Sequence, residues 1–191
     1  IADNQFYDGH NILLDDVELT VVRNNFSRKP GSPYLPTGLL ATNSSVIIGG
    51  GSSSFKNYFL DNAQIKIESP VETKIAYNDI IGTSGTAIEV SSLSSGWLSR
   101  TKIQENTIAA STGIAITNLT SQVTNTGPTA KRVFINGNVI TTTNPNNTTS
   151  LTEDLRGVLI HTSPGVIIGN NIFICEDVIN GAIPDANNNG K

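Results

Sequence analysis

Ile103-Gln104-Glu105-Asn106-Thr107-Ile108 and Ile135-Asn136-Gly137-Asn138-Val139-Ile140 are two copies of one pattern, and that pattern decides the fold. Each has an apolar residue, two variable residues, Asn, one further residue, then another apolar residue. The pattern recurs outward in both directions, at Ile1/Asn4/Phe6, Val21/Asn24/Phe26, Ile75/Asn78/Ile80 and Ile168/Asn171/Phe173. A degenerate copy is expected at Val46-Ile47-Ile48-Gly49-Gly50-Gly51, which mirrors Val166-Ile167-Ile168-Gly169-Asn170-Asn171 and puts Gly51 in the Asn place. The marked positions then lie about 20 to 33 residues apart, within the period range of solenoid repeats. A second apolar run follows the marked residue, as in Gly85-Thr86-Ala87-Ile88-Glu89-Val90, Thr112-Gly113-Ile114-Ala115-Ile116-Thr117 and Gly157-Val158-Leu159-Ile160-His161. One repeat therefore reads as one coil, and residues 1–191 as a single stack of about six to seven coils.

Composition points the same way. The chain is rich in Asn, Thr, Ser, Gly, Ile and Val, contains no Met, and is only 6% aromatic. Val, Ile and Thr suit pleated, half-buried surfaces, while Gly and Asn suit tight corners. Apolar residues never keep helical spacing over more than about ten residues, and no apolar run approaches the roughly 20 residues of a membrane span. Membrane insertion is not expected.

A net charge of −4 with 12 scattered basic residues lacks the concentrated basic face that captures nucleic acid. Cys175 is the lone cysteine, in the run Ile172-Phe173-Ile174-Cys175, and reads as a buried, inert thiol. Glycosylation sequons at Asn25, Asn43, Asn118, Asn146 and Asn147 are what an Asn/Ser/Thr-rich chain produces by chance. Asp185-Ala186-Asn187-Asn188-Asn189-Gly190 matches the start of a calcium loop, but an Asn-rich turn is the preferred reading. No metal or cofactor is expected. The repeat is already under way at Ile1, and the expectation is a piece of a longer fibrous protein.

The repeat resembles the right-handed, single-stranded parallel β-helix family with the pectate-lyase-like fold, which includes pectate lyases, polygalacturonases, alginate epimerases and bacteriophage tailspikes. The resemblance spans nearly the whole chain and implies an all-β solenoid. Each Asn is expected at a corner, because Asn tolerates positive φ and bonds its own backbone, and stacked Asn side chains can bond one another as a ladder. The family's catalytic signatures are mostly missing. There is no Gly-His-Gly, Arg100-Thr101-Lys102 is a near miss for Arg-Ile-Lys, and Asp8-Gly9-His10 departs from Asp-Pro-His at its middle residue. His10 reads as local turn chemistry.

Function then falls to side chains on the outside of the coils. Counting ten residues from Asn78 to Ile88 and from Asn106 to Ile116 pairs Glu89 with Thr117, alignment through Gly157 adds His161, and the residues after Ile12-Leu13-Leu14, Leu39-Leu40-Ala41 and Ile65-Lys66-Ile67 add Asp15, Thr42 and Glu68 to one outward column. Its neighbour column is Leu13, Leu40, Lys66, Ala87, Ala115 and Leu159. Strands in adjacent coils lie about 4.8 Å apart, so Glu68 and Glu89 are expected at roughly the carboxylate separation of retaining glycosidases. With Lys66 on the same side they form a candidate acid/base and nucleophile set, and the alternative is a solvated face with an incidental ion pair. His161 is a candidate general base or sugar-bonding group. Thr117 is a further substrate-binding candidate. Long connections carry Tyr34, Pro145 and the sole Trp, Trp97. Unequal loops on a rigid scaffold build binding grooves, so Tyr34 and Trp97 are sugar-stacking candidates, with Trp97 as a local plug the other reading.

Three functions stay open. One is a tailspike or appendage segment, extracellular or on a virion surface, that binds and in one version cleaves host polysaccharide. Another is a free-standing polysaccharide lyase, glycoside hydrolase or epimerase. The last is a structural spacer or adhesin without catalysis. The first is preferred, because unequal loops and an acidic column exceed what a bare spacer needs. The resemblance also implies a homotrimer, for which Leu13, Leu40 and Leu159 offer an apolar strip.

Overall fold

A computed structural model describes residues 1–9, 11–34, 36–94, 96–121, 131–143 and 155–176. His10, the stretch around Pro145, the sequons at Asn146 and Asn147, and the 185–190 turn lie outside the described residues, as does the side chain of Cys175.

The described chain is all-β, and its strands pair in parallel. One helical element occurs among the described residues, the single 3-10 turn Ser53–Phe55. None of them forms a helix long and apolar enough to cross a membrane. The chain visits three ranks of strands in fixed order. The first holds Gln5–Tyr7, Asn25–Ser27, Tyr58–Leu60 and the start of Asp79–Ser91 and Thr107–Thr117, then Val139–Thr143 and Ile172–Glu176. The second holds Asn11–Asp15, Gly38–Thr42, Gln64–Glu68, the far ends of the same two long strands, and Arg156–His161. Those long strands join both ranks into one curled sheet of 11 strands. The third rank is a separate six-stranded sheet, from Glu18–Val21 through Ser45–Gly49, Glu72–Ala76, Arg100–Gln104 and Val133–Asn136 to Ile167–Gly169.

Alternation makes most of the short strands two-sided. In Gln64–Glu68, Ile65 and Ile67 are buried, while Gln64, Lys66 and Glu68 face outward. Register stacks like on like inside. Ile12, Leu39, Ile65, Ile88 and Ile114 form one buried file, and Val21, Ile48, Ile75, Ile103 and Ile135 another. Phe6, Phe26 and Phe59 stack with ring centroids 4.8 and 4.5 Å apart, the spacing that parallel strands impose on identical side chains.

The asparagines form a ladder at the corner between the third and first ranks. Its members are Asn4, Asn24, Asn57, Asn78, Asn106, Asn138 and Asn171. The backbone N–H of each donates to the Oδ1 of the next at 2.9–3.3 Å, and the Nδ2 does so as well. Two expectations need correcting. The third member is Asn57, buried and bonded on both sides, and not Gly51; residues 50–56 are an insertion that delays the corner. The left-handed residue is also not the Asn but the one before it in six of the seven cases. Asp3, Arg23, Tyr77, Glu105, Gly137 and Asn170 have φ between 53° and 68°. Each ladder Asn in those six passes reaches back with Nδ2 to the carbonyl two residues earlier, bridging the left-handed residue. That bond offsets the strain of placing Arg, Tyr or Glu at positive φ.

Candidate functional site

The outward side of the second rank carries the candidate residues. Observed register places Asp15, Thr42, Glu68, Ser91, Thr117 and His161 in one file. Leu13, Leu40, Lys66, Glu89, Ala115 and Leu159 form the file beside it. Glu89 is thus one file away from its expected place: Ser91 stands next to Glu68, and Ala87 is fully buried. The cause lies in Asp79–Ser91, where two irregularities lower the partner offset from 28 residues (Ile81↔Ala109) to 26 (Thr86↔Thr112). Equal counting from Asn78 and Asn106 passes over both extra residues. Such bulges let one strand carry residues that its neighbour lacks.

The shift changes the chemistry. Glu68 and Glu89 do not face each other across a gap, because the Lys66 ammonium lies 3.2 Å from Glu68 and 3.8 Å from Glu89. All three side chains are about one-third exposed. Hydrogen bonding to Glu68 raises the Lys66 pKa above its usual value; partial burial works against this, and the Glu89 charge adds to it. Lys66 is therefore a fixed cation, held in one position by two anions. A retaining glycosidase needs open space between its carboxylates for the sugar carbon, and here an ammonium occupies it. Thr117 is half-buried in register between Ser91 and His161. His161 is exposed, two strand spacings or about 10 Å from the Glu89 rung.

The two aromatic candidates part company. Tyr34 is 70% exposed, on a loop tied to the strands by the bonds of Arg28 and Lys29 backbone N–H to Asp61 and Asp8. Trp97 is half-buried against the core, and its indole N–H donates to the Pro70 carbonyl at 2.8 Å. It behaves as the local plug. Trp97→Ala is expected to lower stability by about 2–4 kcal/mol, toward the low end for a truncated aromatic because the ring is only partly buried. Chemical denaturation checks this, and an unchanged midpoint with weakened sugar binding would restore Trp97 as a platform.

The residue-by-residue reading missed a second polar surface. A groove of about 440 Å³ opens beside the ladder, lined by Asp3, Gln5, Arg23, Asn25, Lys56 and Tyr58 among others. A signal for it exists in the sequence: Gln5, Asn25, Tyr58 and Asp79 each directly follow a ladder Asn and so share a file. Assigning Gly51 instead of Asn57 removes Tyr58 from that file.

No family model matches the chain, and no curated protein or solved structure matches it. Its reading rests on its own residues. Among the described residues, no three His, Cys, Asp or Glu side chains come together to hold a metal ion.

Proposed function

We propose that the chain is a segment of a right-handed, single-stranded parallel β-helix of the pectate-lyase-like kind, and that it binds surface polysaccharide along the second rank. The observation that carries this reading is the register-locked strip of hydroxyl, carboxylate and ammonium groups from Thr42 to His161. Its step of one strand, about 4.8 Å, is close to the length of one sugar unit in an extended glycan. Successive rungs therefore meet successive sugars. Leu13 and half-buried Leu40 beside the strip offer apolar contact for sugar C–H faces. Lys66, fixed between two carboxylates, donates hydrogen bonds without having to be ordered on binding, which lowers the entropic cost. An extracellular or virion-surface location follows from such a ligand, and a tailspike or appendage is the parent protein that fits the resemblance.

Affinity electrophoresis through gels containing purified bacterial surface polysaccharides tests the reading. At least one polymer is expected to retard the wild-type chain, and Lys66→Ala to weaken that retention about tenfold or more, the loss of a charged hydrogen bond. Equal retention of the variant would remove the strip from the interaction. Cleavage is separable by the same polymer: release of reducing ends by wild type but not by Glu89→Gln would make the strip catalytic, since Gln keeps the shape but cannot exchange the proton.

Homotrimeric association is proposed from the same resemblance. Of the three leucines suggested for a contact strip, Leu13 is 68% exposed, whereas Leu40 and Leu159 are half-buried. Light scattering at tens of micromolar is expected to give three times the chain mass, and a monomer mass would count against association through this segment.

A further inference from the structure

The outward side of the third rank carries two like charges side by side. Register sets Lys74 of Glu72–Ala76 directly beside Lys102 of Arg100–Gln104. Both side chains leave the outer side of the sheet, since Thr73, Ile75, Thr101 and Ile103 on either side of them are buried. Two residues earlier on the same strands stand Glu72 and Arg100, paired with each other through Arg100 Nη1 at 2.9 Å. The lysines have no such partner: among the described residues, no carboxylate comes within 4.0 Å of either ammonium. A separation of 28 residues hides this juxtaposition in the sequence, where the basic residues read as scattered.

Charge and spacing define what fits. Like charges directly opposite on adjacent strands repel, so a bound anion supplies here a compensation that the fold itself does not. The strand spacing of about 4.8 Å lets both ammonium groups donate to one tetrahedral oxyanion through bonds of about 2.8 Å. Arg100 and Glu72 cancel each other, and the lysines leave a double positive charge. That matches the charge of about −1.5 to −2 on a phosphate monoester at pH 7, whereas a carboxylate neutralises only one of the two. The cations also stop. Along the file Ile47 stands on one side of the pair and Phe134 on the other. A linear polyanion such as nucleic acid needs cations that track its backbone, while two lysines between apolar residues suit a single group.

We propose that Lys74 and Lys102 bind one phosphate monoester group, each ammonium donating to a different oxygen, with Arg100 at the edge of the site. Exposed Lys102 and half-buried Lys74 are both open to such a group from solvent. A phosphorylated sugar and a lipid headgroup carry the same chemistry, and the test below separates them. The site lies on a different sheet from the Lys66 strip and shares no residue with it, so it stands or falls separately from the polysaccharide reading.

Backbone amide shifts of the isotope-labelled full chain, titrated at constant low ionic strength, test it. Glucose-6-phosphate is expected to saturate at millimolar concentration, with the largest shifts along Glu72–Ala76 and Arg100–Gln104. Glucuronate, a sugar with a single charge, should bind about tenfold more weakly. Lys74→Gln and Lys102→Gln should each weaken glucose-6-phosphate about tenfold or more. Neither should lower the denaturation midpoint, because each removes one of two repelling charges. Lys29→Gln, at an exposed lysine outside this sheet, should leave the affinity unchanged. Failure of both glucose-6-phosphate and inorganic phosphate to saturate overturns the proposal. So does equal affinity for glucuronate, unchanged affinity in both lysine variants, or an equal loss in Lys29→Gln. Sedimentation with vesicles containing phosphatidate, lost in Lys102→Gln, supports the site and assigns its group to a lipid surface. Saturation by glucose-6-phosphate with the chain left in the supernatant supports it and assigns a phosphorylated sugar. Retention of an oligonucleotide that lacks a terminal phosphate, by a chain that glucose-6-phosphate does not saturate, overturns it in favour of a linear polyanion.

Discussion

Asn106→Leu is expected to lower the unfolding free energy by roughly 4 kcal/mol, because two accepted and two donated side-chain hydrogen bonds vanish at about 1 kcal/mol each. The Asn106 Oδ1 accepts from the backbone N–H and the Nδ2 of Asn78, both at 3.0 Å. Its two Nδ2 protons are shared among the carbonyls of Ile75 and Gln104 and Asn138 Oδ1, at 2.9–3.0 Å. Leucine matches the size but leaves the Asn78 N–H without its acceptor in a site from which water is excluded, since Asn78 is fully buried. The left-handed Glu105, with φ 55°, also loses the bridge from Gln104 to Asn106. Against a usual total of about 5–15 kcal/mol, a loss of this size unfolds much of the population near body temperature. Urea denaturation followed by circular dichroism measures it. A midpoint within error of wild type would mean that the ladder is decoration and that the apolar files alone hold the stack.

Gly49→Ala is expected to cost about 2–6 kcal/mol, from left-handed strain and overpacking together. Gly49 has φ 85°, and a Cβ there would lie 1.8 Å from the Ala76 carbonyl oxygen and 2.9 Å from Asn78 Oδ1. Both are held by the register, since Gly49 and Ala76 are paired and Asn78 belongs to the ladder. The neighbouring pass would have to move away as a whole. Gly51→Ala is the matched control: its Cβ would meet nothing within 4 Å, and its φ is not left-handed, so a change within about 0.5 kcal/mol is expected. Similar midpoints for the two variants would contradict the close approach of consecutive passes at this corner.

Reading the fold from sequence succeeded where a single residue type had a single job. Interior Ile and Val recur because most of the short strands bury every second residue on the same inner side, and the Asn recurs because one corner needs a side chain that both donates and accepts. Those constraints are local and repeat in each pass, so they show as a period. The ladder was legible for Asn4, Asn24, Asn78, Asn106, Asn138 and Asn171, and failed only at Asn57, where the insertion of residues 50–56 hid the period. The position of the left-handed residue was missed for a different reason. Arg23, Tyr77 and Glu105 carry no propensity that announces positive φ, and the conformation is supplied by the Asn that follows.

The candidate site shows the same division. Asp15, Thr42, Glu68, Thr117 and His161 fall in one file as expected, since the apolar runs that precede them mark the same place on each strand whatever the length of the connection before it. Glu89 does not, because two bulges in its strand alter the count without leaving a mark in the sequence. By itself the sequence determined the parallel all-β repeat, which side of each strand is buried, and most of the corner asparagines, since these follow from the chemistry of residues at short, repeating separations. Only the tertiary structure decided that Lys66 stands between Glu68 and Glu89, that Trp97 is tied to Pro70, and that Asp3, Arg23, Asn25, Lys56 and Tyr58 surround one groove. Those relations join residues from separate passes, and bulges and insertions set which passes meet at which residue, so they exist only once the stack has closed.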